Sequence, residues 1–206
     1  MGPGDVQAAF ARAAAADGIV LGSGSFDWYC EQGHVGLERV AKARRDPALV
    51  GPVTAALEQL GAIYARLGGD LSVLHASREN LLLPVDLVHE PTGTVIEVDE
   101  SPHFTSFRLL ALELYRDDVA VGFDRGEHKE LCRAWCSRTD GLARGLPAKG
   151  FGFGGVARER AYHDALLDLA ASAMGHPPVV RIAAVDGDGA AAYERGRASV
   201  LALRPS

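Results

Sequence analysis

Three observations predict a mixed α/β fold, with a central sheet flanked by helices. Segments with apolar residues at three- and four-residue spacing occupy the first 70 residues and recur at 104–115, 127–138 and 158–174. Short apolar, β-leaning runs lie between 71 and 100 and again at 179–185. No internal repeat or long linker interrupts the 206 residues, a length that buries a core without disulfides or metals to hold it. Helices around strands in this order place one sheet between helical layers.

Each element has its own warrant. Residues 5–16 are alanine-rich and stop before Gly18, a helix with a glycine end signal. GSGS at 22–25 reads as a turn. Residues 35–45 and 52–67 keep helical spacing, the second with Pro52 in its first turn and Gly68-Gly69 at its end. LSVLH at 71–75 alternates and reads as a strand, LLLPVDLVH at 81–89 as a second, EPTG as a turn and TVIEVDE at 94–100 as a third. Pro84 removes a ladder donor, so a bulge or an edge position is expected there. Helices follow at 104–115 and 127–138. GLPAKGFGFGG at 145–155 is a glycine-rich loop, a mobile lid or insertion in this reading. A long helix from Arg158 is broken by Pro177-Pro178 before the strand VVRIAAV.

Composition narrows function. A chain 48% apolar and 23% charged is that of a soluble folded protein. The apolar runs fall short of a bilayer span, and the first residues lack the pattern of an export signal, so a cytoplasmic protein without a membrane partner is expected. Three cysteines suit reduced thiols rather than a disulfide framework. A net charge of −6 argues against coating nucleic acid by bulk charge. It leaves room for local basic clusters such as Arg39, Lys42, Arg44 and Arg45, or Arg158 and Arg160, which also read as solvated helix faces.

The densest chemistry is VIEVDESPHF at 95–104. On a strand Glu97 and Asp99 project to one side while Ile96 and Val98 face the core. A hairpin across residues 90–93 brings Asp86 beside them. Three acids so placed repel unless a cation neutralises them, and Mg²⁺ or Mn²⁺ is the oxygen-seeking occupant expected at Asp86, Glu97 and Asp99. His103 stands next to them as general base, further ligand or phosphate contact. Acids at a strand end also serve as plain solvated groups, and His103 as a helix-entry residue.

Val85-Asp86, the turn, Val95 to Asp99 and His103 together resemble the core of the PD-(D/E)xK, or restriction-endonuclease-like, superfamily. They are most similar to its very-short-patch-repair-like branch. Arg160 to Asp164 on a helix and Arg181 in a late strand continue the likeness, which covers roughly 80–115 and 156–185 and leaves 116–155 as a helical and loop insertion. Glu100 stands where that branch usually has glycine, and the usual lysine is missing. The resemblance implies a nuclease core at 71–115 and 156–206 behind an N-terminal helical part at 1–70. It implies a metal-dependent phosphodiester hydrolase, with Asp86 and Asp99 on the ion, Glu97 ligating or ordering water, and His103 assisting the attacking water. Arg108, Arg160 and Arg181 are its candidate substrate contacts, although an arginine among acids also serves as a charge-balancing partner. The alternative is an inactive relative that binds a protein or nucleic acid.

A second constellation is Cys30 with His34 and Cys132 with Cys136, each pair four apart, which would make a Cys₃His zinc site if the halves met; ordinary buried cysteines are the other reading. A nucleophile elbow, a P-loop and a dinucleotide fingerprint are missing from the sequence. Substrate identity and oligomeric state leave no mark in it.

Overall fold

The computed structural model describes residues 4–76, 81–142 and 144–204. In chain order these form α1 (Asp5–Ala16), β1 (Gly22–Cys30), α2 (Gly33–Arg44), α3 (Pro47–Arg66), α4 (Leu71–Ala76), β2 (Leu82–His89) and β3 (Thr94–Glu100). A 3₁₀ turn at Ser101–His103 leads into α5 (Ser106–Glu113), α6 (Arg125–Thr139), α7 (Val156–Ala173), β4 (Val180–Ala184) and α8 (Gly189–Leu201). Helix starts fall where a short polar side chain takes an orphan amide: Asp46, Thr105, Asp124 and Asp188 accept from the N–H groups of Ala48, Arg108, Glu127 and Ala191.

The four strands form a mixed sheet in the order β1-β2-β3-β4. β1, β2 and β3 run antiparallel as neighbours, whereas β4 is parallel to β3 and is reached through α5, α6 and α7. The ends of β1, β3 and β4 and the start of β2 therefore share one edge of the sheet. Helices cover both faces. α1 and α8 enclose a core of Val6, Phe10, Ile96, Val98, Ile182 and Tyr193 on one side. On the other, α2, α3, α5 and α7 bury Trp28, Leu37, Leu60, Phe104, Leu112 and Leu166. This is the flanked mixed sheet expected from the sequence, reached with several corrections.

GSGS is no turn: it is the first half of β1, and Gly24 lies so close to the Val88 side chain that a Cβ would collide with it. Residues 71–75 are no strand but most of α4, whose start Asp70 secures by accepting from both Ser72 N–H and Ser72 Oγ. The third strand of the meander thus comes from the N-terminal part, which is not wholly helical. α3 starts at Pro47 rather than Pro52, because Asp46 and Pro47 supply a stronger cap and first turn. β2 is interior, and its ladder with β1 is irregular on both sides of Pro84: from Ser25–Pro84 to Cys30–Leu82 β1 advances five residues against two on β2, the irregularity expected at that proline. Gly22 pairs with Val88 and Gly24 with Val85, two steps along β1 against three along β2, which sets a bulge at Asp86-Leu87.

α3 is long and apolar enough by composition to cross a membrane, but its stripe of Val53, Ala56, Leu60, Ile63 and Tyr64 is buried, and the helix packs on α7 and α2.

Candidate active site

Strand alternation turns Glu97 and Asp99 away from Ile96 and Val98, toward α7. Arg181 is the register partner of Glu97 on β4, and α7 presents Asp164 and Asp168, one turn apart, from above. The guanidinium of Arg181 meets all three aspartates: Asp99 Oδ1 at 2.8 Å, Asp168 Oδ1 at 2.7 Å and Asp164 Oδ1 at 3.3 Å. Arg108 reaches the other Asp168 oxygen at 2.6 Å and donates to Tyr115 Oη at 2.9 Å. Tyr115 in turn donates to Asp168 at 2.8 Å. Burial alone would raise Asp164 and Asp168, yet their arginines outweigh it and hold both below the ordinary aspartate value.

Asp86 and Glu97 use the bulge. The regular β2–β3 ladder runs only from Leu87–Ile96 to His89–Thr94, and beyond it side chains replace backbone partners. Asp86 N–H donates to Glu97 Oε1 at 3.0 Å, and Val98 N–H donates to Asp86 Oδ2 at 2.9 Å. Burial first, then the charge of Asp86, pushes Glu97 up to about 8; burial likewise raises Asp86, with Asp99 adding to it. The charge on β3 thus has a partly structural use, since Glu97, together with Asp86 from β2, closes a ladder that the bulge opened.

His103 sits at the rim, on the 3₁₀ turn. Its Nδ1 lies 3.2 Å from Asp164 Oδ2 and 3.5 Å from Asp99 Oδ1, and its side chain, 26% exposed, is far more open to solvent than those two aspartates. Burial would depress its pKa, but Asp164 and then Asp99 outweigh it and hold it at about 9. Asp99, His103 and Asp164 are the described residues whose donor atoms all fall within 4.8 Å of one another, as one metal ion would require. Asp99 Oδ2 is buried without a hydrogen bond, and 3.9 Å away His128 Nε2 from α6 is buried and equally unpaired. Burial, then Arg108, lowers His128 to about 4, leaving a neutral ring.

No family model, curated protein or solved structure matches this chain. What the site can do is therefore read from its own chemistry.

Of the residues expected from sequence, Asp86, Glu97, Asp99 and His103 do gather at one edge of the sheet. The close donor set, however, replaces Asp86 and Glu97 with Asp164. Arg108 and Arg181 have side chains with no exposure and are spent on aspartates, so neither is placed to touch a substrate. Arg160 donates to Pro102 O at 3.2 Å, beside His103, and stays at the rim. The zinc quartet does not assemble into a donor set among the described residues: His34 bonds Tyr162, Cys136 bonds Arg133 O, and Cys132 is pushed up to about 12, chiefly by burial.

Asp168, Tyr115 and His128 were not singled out in the sequence. Asp164 and Asp168 announce themselves as acids one turn apart on an otherwise apolar helix face. His128 and Cys132 do the same as a pair on α6, in the segment expected to be an insertion. α6 packs on α5 and on the 3₁₀ turn and brings His128 to 3.9 Å from Asp99.

Proposed function

We propose that the protein is a divalent-metal-dependent phosphodiester hydrolase of restriction-endonuclease-like architecture. The observation that carries this is the convergence of Asp99, His103 and Asp164 donors within 4.8 Å at the sheet edge. Alongside them Asp86, Glu97 and Asp168 bring the local carboxylates to five, against the guanidiniums of Arg108 and Arg181. A three-strand meander completed by a late strand, here parallel to β3, supports this reading.

The donor set fits Mn²⁺ or Mg²⁺: two carboxylates and an imidazole, with an Asp99 oxygen free of hydrogen bonds. Such an ion, when bound, supplies an acidified water and charge stabilisation on phosphate oxygens. The protein's own residues do the rest. Arg181 fixes the orientation of Asp99 and Asp164. His103 releases its proton to become a ligand. Arg160 stands at the mouth, where a phosphate would enter. Free Cys30, Cys132 and Cys136 suit a reducing, cytoplasmic setting.

A second reading is favoured by the arginines: Asp99, Asp164 and Asp168 are already ion-paired, as in an inactive fold kept for binding. Incubation of single- and double-stranded DNA and of RNA with Mn²⁺, Mg²⁺ or EDTA separates the two. The hydrolase predicts cleavage with metal only, reduced at least a hundredfold in Asp99→Asn and His103→Ala with circular dichroism unchanged. Intact substrate with every metal leaves the binding module.

A further inference from the structure

Three buried side-chain atoms that lack a hydrogen bond among the described residues, Asp99 Oδ2, His128 Nε2 and Arg108 Nε, belong to one part of the core. Asp99 and His128 face each other at 3.9 Å, too far for a direct hydrogen bond. Arg108 has given its two terminal nitrogens to Tyr115 and Asp168. Its guanidinium carbon lies 6.0 Å from the centre of the Phe123 ring, on which His128 also packs at 5.0 Å. Polar atoms buried this deeply are destabilising when left dry, so each calls for a partner.

Neither side of the gap is free to close it. His128 is held in α6 between Phe104 and Phe123, with ring centres 4.9 and 5.0 Å away, and its N–H donates to Asp124 O. Asp99 is held through its other oxygen, which accepts from Arg181 at 2.8 Å. A water oxygen at hydrogen-bond length from both, about 2.8 Å, subtends roughly 90° across the 3.9 Å gap, close to the angle between a water's own bonds. The lining matches it in chemistry too. Asp99 as a carboxylate only accepts, Arg108 only donates, and a neutral imidazole accepts at the nitrogen that carries no proton.

We infer that one ordered water bridges Asp99 Oδ2 and His128 Nε2, and that through it His128 sets the orientation of Asp99. The water donates to both atoms, and Arg108 Nε–H, bordering the same space, is the donor left for its lone pair. That makes three bonds, the usual number for a buried water. Arg181 and this water then hold the two ends of the Asp99 carboxylate. A carboxylate oxygen has two lone-pair directions, so a bond from the water leaves one for an ion. His128 is thus a positioning residue, acting on the ion through Asp99. That Asp99 serves an ion rests on the hydrolase reading; the bridge itself does not.

Crystal structures of the full chain in EDTA, as parent, His128→Gln and His128→Phe, test it. The parent should show one solvent peak about 2.6–3.2 Å from both Asp99 Oδ2 and His128 Nε2. Glutamine keeps a polar atom at that place and should retain the peak. Phenylalanine has none and should lose it, with Asp99 Oδ2 turned toward another donor. Calorimetric Mn²⁺ affinity should fall at least tenfold in His128→Phe, as when the outer partner of a metal ligand is removed, and return to within threefold of the parent in His128→Gln. A dry gap or a direct bond in the parent overturns the inference, and so does an unmoved Asp99 in His128→Phe; the parent map decides even if that variant fails to fold. A bridging water in a protein that takes up no Mn²⁺ would end the hydrolase reading and leave the bridge. Mn²⁺ uptake with no water between the two residues would do the reverse.

Discussion

Glu97 is buried among acids, and the fold holds it near 8 against an ordinary 4.5. Between those pH values the unfolded chain surrenders a proton that the folded chain keeps, so stability falls as pH rises through that window. His103 acts in the same sense. Raised from 6.5 to about 9, it contributes stability that is complete below 6.5 and lost as pH climbs through 9. The metal-free protein should therefore weaken steadily from pH 6.5 to 9. Glu97→Gln keeps an oxygen to accept from Asp86 N–H but has no proton to lose, so its stability profile between pH 5 and 8.5 should be flatter by a few kcal/mol on the order-of-magnitude scale of such shifts. Urea melts at several pH values measure this, and parallel profiles for the two proteins would refute the buried-acid account. Glu97 and Asp99 were legible in the sequence because strand alternation puts them on one face. Their partners were not. Asp168 becomes a neighbour of Arg108 only after α7 folds back over the sheet, a contact 60 positions apart that spacing alone does not encode, whereas Tyr115 lies seven residues on, just past the end of α5.

Helix packing depends on glycines in one place and tolerates replacement in another. Gly189, at the first turn of α8, sits against the backbone of α1, where a Cβ would collide with Val6 O and Phe10 N. Backbone cannot rotate aside as a side chain can, so Gly189→Ala should cost about 1–3 kcal/mol by overpacking the α1–α8 contact. Gly51 within α3 has nothing within 4 Å of such a Cβ. There alanine should add about 0.5–1 kcal/mol by lowering the entropy lost on folding. Opposite shifts in melting temperature are the expected result, and a stabilised Gly189→Ala would show that α1 and α8 are not in close contact. The same kind of residue explains the misread elements. Glycine contributes no pattern, so the half of β1 written GSGS looked like a turn, although close approach to β2 is what selects glycine there. α4 failed for the opposite reason: its alternation mimicked a strand, and the deciding signal was the Asp70 cap before it.

Across the molecule, the sheet order follows from hairpin length and from the helices that separate β3 from β4, both visible in the sequence. The bulge at Asp86-Leu87 was not, because register depends on how β1 meets β2, and β1 had gone unrecognised. That bulge diverts Asp86 and Glu97 onto backbone amides and leaves Asp99, with His103 and Asp164, as the close donor set. These three donors come from β3, the turn after it and α7, so an ion held by them joins the sheet to the helix that covers it. Global unfolding would have to release that ion. Ligand that binds only the folded state adds about 2.7 kcal/mol at a hundred times its dissociation constant. For a chain of this size that corresponds to a rise in melting temperature of roughly 5–10 °C. Mn²⁺ titrated into chelator-treated protein should produce this rise, and the Asp99→Asn variant, whatever its own melting temperature, should show none. Because His103 must lose its proton before it can serve as a ligand, the rise should grow from pH 7 to pH 9 even as the metal-free protein weakens. A shift of equal size in the variant would place any bound ion elsewhere, and the absence of a shift in the parent protein would leave Arg181 as the cation around which this edge of the sheet is built.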